Sequence, residues 1–308
     1  MSHSHRRKIW SDLLARSGLQ MKRPNRITVL NVLERGAGVL RKVGLGTLVD
    51  AVVRRAAPAV GTFDVEIDGL RLHGDHIGQL YYVRELSESD REATFVALLK
   101  AAIQPGMTIV EAGAHMGYIT LQAARAAGPA GRVFAFEANP RAVPLIERNL
   151  ADNNLSHRTT VVPLALGDAP GSHAFYLSGG GDTSSLQEPD GASERIEVTV
   201  TTLDTWLAPT LVVDVVKLDI EGAEVAALRG MRETLDRAGP GLTLFAECNP
   251  PLLERFGSSA AELIEVLRDH RLDVRWIDEE RGVTRPIDEV DWAHGYVNLH
   301  CRRSPHAG

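Results

Sequence analysis

The sequence predicts an α/β protein built on a doubly wound, mostly parallel sheet of seven strands, with an antiparallel hairpin at one edge. Three observations carry this. From residue 108 onward, short apolar runs alternate with amphipathic stretches of helical period, the pattern of a sheet covered on both faces. A glycine-bearing loop, Gly113 to Gly117, joins the first apolar run to the first such helix. The second apolar run then ends in an acid, Glu137, about 20 residues further on. Right-handed crossovers make such a sheet doubly wound, with its ligand crevice at the carboxyl ends of the strands.

Taken in order, residues 1–60 are expected to form a basic helical extension. Val29, Leu33, Leu40, Val43, Val52 and Val53 recur at near-helical spacing between basic residues, and Gly36, Gly38, Gly44 and Gly46 divide the stretch into short helices. Residues 61–105 lead into the core. Phe63–Ile67 and Leu70–His73 alternate around an Asp68-Gly69 turn, which signals a hairpin, and a helix runs from about Asp90 to Ile103 until Pro105-Gly106 stops it. Residues 106–303 form the main domain. Its strands are expected at 108–112, 132–136, 160–165, 213–218, 242–246, 274–277 and 296–301. Helices are expected at 118–127, 141–153, 223–238 and 260–270, with an irregular antiparallel stretch at 172–200. Only polar chain separates the last two strands, hence the edge hairpin.

Composition sets limits on function. The 308 residues are 44 % hydrophobic and 24 % charged, as in an ordinary globular protein with a substantial core. No uncharged apolar run approaches the roughly 20 residues of a membrane-spanning helix. The N-terminus lacks the apolar stretch of a secretory signal, so a cytoplasmic protein is expected. Cys248 and Cys301 make neither a disulfide framework nor a cysteine metal cluster. Charge is unevenly spread: residues 1–57 hold 12 Lys/Arg against 3 Asp/Glu, the remainder 22 against 37. The acidic body argues against a nucleic-acid substrate, whose phosphates demand many basic contacts. The basic extension suits a helical cap with solvent-facing charges, or a surface for anionic lipid, an acidic carrier or a partner subunit. Peripheral membrane contact and a homo-oligomer are therefore both open.

The loop Glu111-Ala-Gly113-Ala114-His115-Met116-Gly117-Tyr118 sits between strand and helix, where adenosine-containing ligands bind. Gly113 permits a sharp turn, and Gly117 a close approach of the helix to the ligand. Dinucleotide loops carry glycine where this chain has Glu111. A carboxylate there repels a pyrophosphate and suits a cationic ligand with an amino group, as S-adenosylmethionine is. Glu137, in Phe136-Glu137-Ala138-Asn139-Pro140, can accept both ribose hydroxyls or serve only as a capping acid. Asp168, two residues after Leu166, stands where it can accept from an adenine amino group or act as an ordinary turn acid before Pro170-Gly171.

The segment Lys217-Leu-Asp219-Ile-Glu221-Gly222-Ala-Glu224 delivers a base and three acids to the same sheet edge. In an extended strand, residues 217, 219 and 221 share a face. Group transfer from a ligand bound at this edge needs alignment and proton removal. Asp219 or Glu221 can act as base or anchor, with Lys217 orienting a carboxylate or a substrate oxygen. The bland alternative is a buried ion pair of Lys217 with one acid. Glu224 reads as a first-turn acid favoured by the helix dipole. Glu247, at the end of the next strand, is a further candidate. The acids offer oxygen ligands for Mg²⁺, but no metal-ligand set is fixed.

These motifs resemble the FkbM-type family of class I S-adenosylmethionine-dependent methyltransferases. The resemblance is carried by the loop at 111–117, Phe136–Pro140, Asp182-Thr-Ser-Ser-Leu186, Thr202-Leu-Asp204 and above all residues 217–230, and it covers about residues 80–300. His115 stands where the family pattern leads one to expect Asn. The resemblance implies a Rossmann-like seven-stranded sheet, S-adenosylmethionine as cofactor, and O-methylation of a hydroxyl on a sugar or natural product. Two alternatives stand beside it. A nicotinamide-dependent oxidoreductase predicts glycine in place of Glu111, and a catalytically silent binding module predicts loss of the site residues.

Overall fold

The computed structural model describes residues 62–88, 92–178, 186, 193–290, 292 and 295–303. The expected N-terminal helices and most of the 182–186 motif lie outside these residues. The chain divides into two compact units, at Asp90 and around Gly179–Asp182. In the first, β1 (Phe63–Ile67) and β2 (Leu70–Gly74) form an antiparallel hairpin, followed by a helix, α1 (Ile77–Glu88). Asp68 and Gly69 both have positive φ, 52° and 71°, as a tight two-residue hairpin turn requires.

The second unit opens with α2 (Ala93–Ala102), whose first-turn amides Thr94 N and Phe95 N donate to the Glu279 carboxylate at 2.8 and 3.0 Å. The alternating series follows as β3 (Thr108–Ala112), α3 (Tyr118–Ala127), β4 (Arg132–Phe136), α4 (Val143–Asp152) and β5 (Thr159–Val162). Pro163, which has no N–H to give a ladder, ends β5. The expected strand 160–165 is therefore split. Its tail, β6 (Ala165–Leu166), joins a separate three-stranded sheet with β7 (Gly171–Ser178) and β8 (Ser193–Thr201). The stretch expected to be irregular and antiparallel is antiparallel and regularly paired across its described part.

After a short helix, α5 (Leu203–Trp206), come β9 (Val215–Leu218), α6 (Glu224–Arg229) and α7 (Arg232–Arg237). The helix expected over 223–238 is broken at Gly230, where a Cβ would lie 1.9 Å from Gly167 O. The chain then forms β10 (Thr243–Cys248), α8 (Pro250–Arg255), α9 (Ala260–Asp269), β11 (Leu272–Asp278), β12 (Val283–Pro286) and β13 (Val297–Arg303).

The main sheet runs β12-β11-β13-β10-β9-β3-β4-β5, eight strands against seven expected. The extra strand, β12, lies in the polar stretch and pairs as an edge, so the antiparallel β11–β13 pair is not itself the border. β3, β4, β5, β9 and β10 are mutually parallel, and the strand order reverses between β4 and β9 on either side of β3. That is the switch point where a ligand crevice opens. Among the described residues, no helix is long and apolar enough to cross a membrane.

Asp204 shows how short helices are held. Its carboxylate accepts from Glu233 N, Thr234 N and Thr234 Oγ1 at 2.9, 2.7 and 2.6 Å, satisfying otherwise orphaned amides at the start of α7. Asp204→Ala should cost about 1–2 kcal/mol in urea unfolding and leave ligand affinity within about twofold of wild type.

Candidate active site

The register of the sheet sorts its side chains onto two unlike faces. Val110, Ala112, Val216, Leu218, Leu244 and Ala246 turn to the main apolar core, together with Leu299 and Cys301. The alternate positions carry the chemistry. Glu111 pairs with Lys217, Lys217 with Phe245, and Phe245 with His300 across neighbouring strands. One step further along, Ala112, Phe136, Leu218 and Ala246 are level. Their successors Gly113, Glu137, Asp219 and Glu247 therefore stand in a row along the carboxyl edge, and Asn298 sits opposite Glu247 on β13. Side chains level on adjacent strands share a face.

The glycine loop fits over this row. Gly113 has φ 83°, and a Cβ there would lie 1.8 Å from Asp219 O, so no other residue allows the loop to approach β9 this closely. His115 adopts φ 52°, a left-handed region in which His and Asn are both enriched, which accounts for His at an expected Asn position. Its N–H donates to Glu137 Oε2 at 2.7 Å, and Asn139 N donates to Oε1 at 2.8 Å. Asn149 Nδ2 donates to Met116 O at 2.8 Å, tying the loop to α4. Ala114, Met116 and Tyr118 are buried, so these three contribute backbone and packing to the loop. Each Glu137 oxygen keeps a lone pair for a vicinal diol, and the carboxyl, raised by burial to about 7, is buried against the loop. A glycine cradle beside a buried, loop-anchored carboxylate fits the adenosine half of S-adenosylmethionine.

Lys217 lies at the centre, 5 % exposed. Its Nζ donates to Gly113 O at 2.8 Å and is 3.3 Å from Asp219 Oδ2 and 3.8 Å from Glu111 Oε1. Burial works against its charge, but Asp219, Glu111 and Glu92 outweigh it and hold the ammonium above the ordinary lysine value. Glu111 is buried; Oε2 accepts from Thr120 Oγ1 at 2.6 Å, and Oε1 has no hydrogen-bond donor. Burial pushes the Glu111 carboxyl up against the pull of Lys217.

The expectation that Lys217, Asp219 and Glu221 share an extended face holds only in part. The strand ends at Leu218, and Glu221 has φ 58° inside a turn. Glu224 shapes that turn: its Oε1 accepts from Ile220 N at 3.0 Å and Gly222 N at 3.3 Å. Glu247 is partly buried, yet its Oε2 is sealed from solvent with no donor to it. Ala138 packs beside the small sheet, Leu166 lies in the main core, and Asp168 is exposed in the turn after β6. Asn298, Thr120 and Asn149 were not singled out from the sequence. Asn298 and His300 alternate with Val297, Leu299 and Cys301, a period-two signal that marks the face opposite the core. Among the described residues, no group of three or more His, Cys, Asp or Glu side chains is arranged to hold a metal ion.

Strand order, glycine loop and acid after the second strand together define a Rossmann-like α/β fold with an adenosine-type crevice. The chain matches the Methyltransferase FkbM domain over residues 111–273, just over half its length, and it belongs to that family. Its methyl donor is S-adenosylmethionine. This overturns the oxidoreductase alternative. A curated relative from Pyrobaculum calidifontis, named "Probable cobalt-precorrin-6B C(15)-methyltransferase (decarboxylating)", is 28% identical over 154 residues, covering 46% of this chain and 77% of the relative. Solved structures with a similar fold include an S-adenosylmethionine-dependent O-methyltransferase from Thermotoga maritima, 17% identical over 78% of this chain and 77% of that one, TM-score 0.41. The O-methyltransferase TomG from Streptomyces achromogenes, involved in tomaymycin synthesis, is 15% identical over 73% and 85%, TM-score 0.42.

Glu224 makes a pH prediction. Burial raises its carboxyl from 4.5 to about 7, against the turn amides that favour the charge. The folded state therefore holds a proton that the unfolded chain releases between these values. Stability from this group is present below about 4.5 and lost as pH rises through about 7, roughly 3 kcal/mol in all. Glu224→Gln keeps the acceptor oxygen without the charge. Its melting temperature relative to wild type should climb from pH 4.5 to pH 7 and then level off; a flat difference would contradict the assignment.

Proposed function

We propose that this methyltransferase acts on a hydroxyl oxygen of a sugar or natural-product acceptor. The observation that carries the reading is the row of strand ends, with Glu137 and the glycine loop on one side and Asp219 and Glu247 on the other. When bound, S-adenosylmethionine supplies a methyl group on a cationic sulfur. The chain's own residues do the rest. Glu137 accepts from the ribose hydroxyls, and Gly113, Ala114, His115 and Gly117 bring the backbone of the loop against the ligand. Asp168 and the backbone at Leu166 would stand toward the adenine, and Ala138 and Asn139 toward the ribose.

Asp219, Glu221 and Glu247 line the acceptor side, where a hydroxyl must be aligned and relieved of its proton. Lys217 acts through Gly113 and Asp219: its ammonium is committed to them and to Glu111, so it orients the edge. Glu111 sets the charge beneath the loop. Residues 106–303 make up the catalytic domain, 61–105 lead into it, and 1–60 form a basic extension. The acidic body favours a small or glycosidic acceptor over nucleic acid.

Calorimetry of S-adenosylmethionine, S-adenosylhomocysteine and NADPH with wild type and Glu137→Ala tests the donor site. Both adenosyl ligands should bind wild type, NADPH should not, and the variant should lose roughly 10²-fold or more for both, the worth of two hydrogen bonds to a carboxylate. Acceptor screening by methyl incorporation should yield an alkali-stable ether. A product methylated on carbon, as the name of the Pyrobaculum relative specifies for that protein, would overturn the oxygen assignment.

A further inference from the structure

The acceptor end of the row carries more negative charge than anchoring a hydroxyl requires. Asp219, Glu221 and Glu247 act on one another there, and Lys217, which offsets part of the charge felt by Glu247, is already committed to Gly113 O, Asp219 and Glu111. Glu247 is set apart by geometry. It stands level with Asp219 on the neighbouring strand, Asn298 faces it from β13, and its Oε2 is sealed from solvent with no donor. An ionised carboxyl with one such oxygen is costly to keep.

The charges around it point the same way. Burial first, then Asp219 from the end of β9, Glu221 from the turn and Glu224 from α6 hold the Glu247 carboxyl well above the ordinary value, and Lys217 offsets them only in part. Cys248, next on the strand, adds no charge of its own: burial raises its thiol to about 12, so it stays neutral. Strands lie about 4.8 Å apart, so Glu247 is roughly 10 Å from Gly113 and roughly 14 Å from Glu137. A donor with its ribose at Glu137 and its amino-acid arm over the glycine loop brings its sulfonium toward Asp219 and Glu247.

We propose that Glu247 holds a proton in the unliganded protein and releases it when the sulfonium of S-adenosylmethionine is seated, so that loading the donor creates the base that the acceptor needs. This rests on the donor site and hydroxyl acceptor read above. In the transfer the acceptor O–H bond breaks and its proton passes to the Glu247 carboxylate. The oxygen's electron pair forms the new O–C bond, and the pair of the breaking C–S bond returns to sulfur. One positive and one negative charge disappear together. A neutral thioether is left beside a neutral acid, and the edge is back in its starting protonation state.

The test needs no acceptor. Calorimetric titration of the full chain with S-adenosylmethionine and with S-adenosylhomocysteine, at pH 7 in buffers of different ionisation enthalpy, counts protons exchanged on binding. The two ligands share the adenosine and amino-acid parts, so the difference reads the sulfonium charge, and the Glu247 variants assign it to that residue. S-adenosylmethionine should release more protons than S-adenosylhomocysteine, by up to about one per site. Glu247→Gln should abolish the difference while binding S-adenosylhomocysteine like wild type, and Glu247→Asp should retain it. Equal counts for the two ligands in wild type, or a difference that survives in Glu247→Gln, would overturn the proposal. Failure of wild type to bind either ligand would instead contradict the donor site on which it rests.

Discussion

Lys217 Nζ donates to Gly113 O at 2.8 Å and lies 3.3 Å from Asp219 and 3.8 Å from Glu111, joining the glycine loop after β3 to the end of β9. The residues it connects are about a hundred positions apart in sequence and meet only because β3 and β9 are neighbours. An ammonium buried to this degree is tolerable only where carboxylates compensate it, and Glu111 and Asp219 do so from either side. Removing Lys217 strands the groups around it. Glu111 would be left as an uncompensated buried charge, and the carbonyl of Gly113 would lose its donor.

The two-faced sheet explains why this cluster can exist at all. Apolar side chains on one face supply the core, so the alternate face at the same strand positions is free for Glu111, Lys217, Phe245 and His300. His300 stacks on Phe245 with centroids 4.9 Å apart, and burial lowers its imidazole to about 4, so it is neutral at pH 7. Lys217 is thus left as the cation of the row. Acids accumulate along the carboxyl edge, which suits a sulfonium donor and disfavours an anionic one.

Much of this was legible in the sequence. β3, α3 and β4 fall on the predicted residues, because short apolar runs and an amphipathic helix bounded by glycine turns leave little freedom there. The position of Glu137 directly after the second strand of the series was legible too. What misled was tertiary. Pro163 split a strand, and the close approach of Gly230 to Gly167 O broke a helix. Glu221 left the strand face because Glu224 captures the amides of Ile220 and Gly222, a bond no periodicity announces. Asn298 needed the β10–β13 register, which joins segments some fifty residues apart.

Binding of S-adenosylhomocysteine to the double variant Lys217→Met/Glu111→Gln tests the central claim most directly. Neutralising both partners removes the stranded buried charge, so the fold should persist, as a melting curve would verify. If Lys217 positions the cofactor loop through Gly113 O, the folded variant should bind at least about tenfold more weakly, the loss of one charge-assisted hydrogen bond. A folded double variant with wild-type affinity would show that the loop holds its shape without Lys217, and would contradict the account.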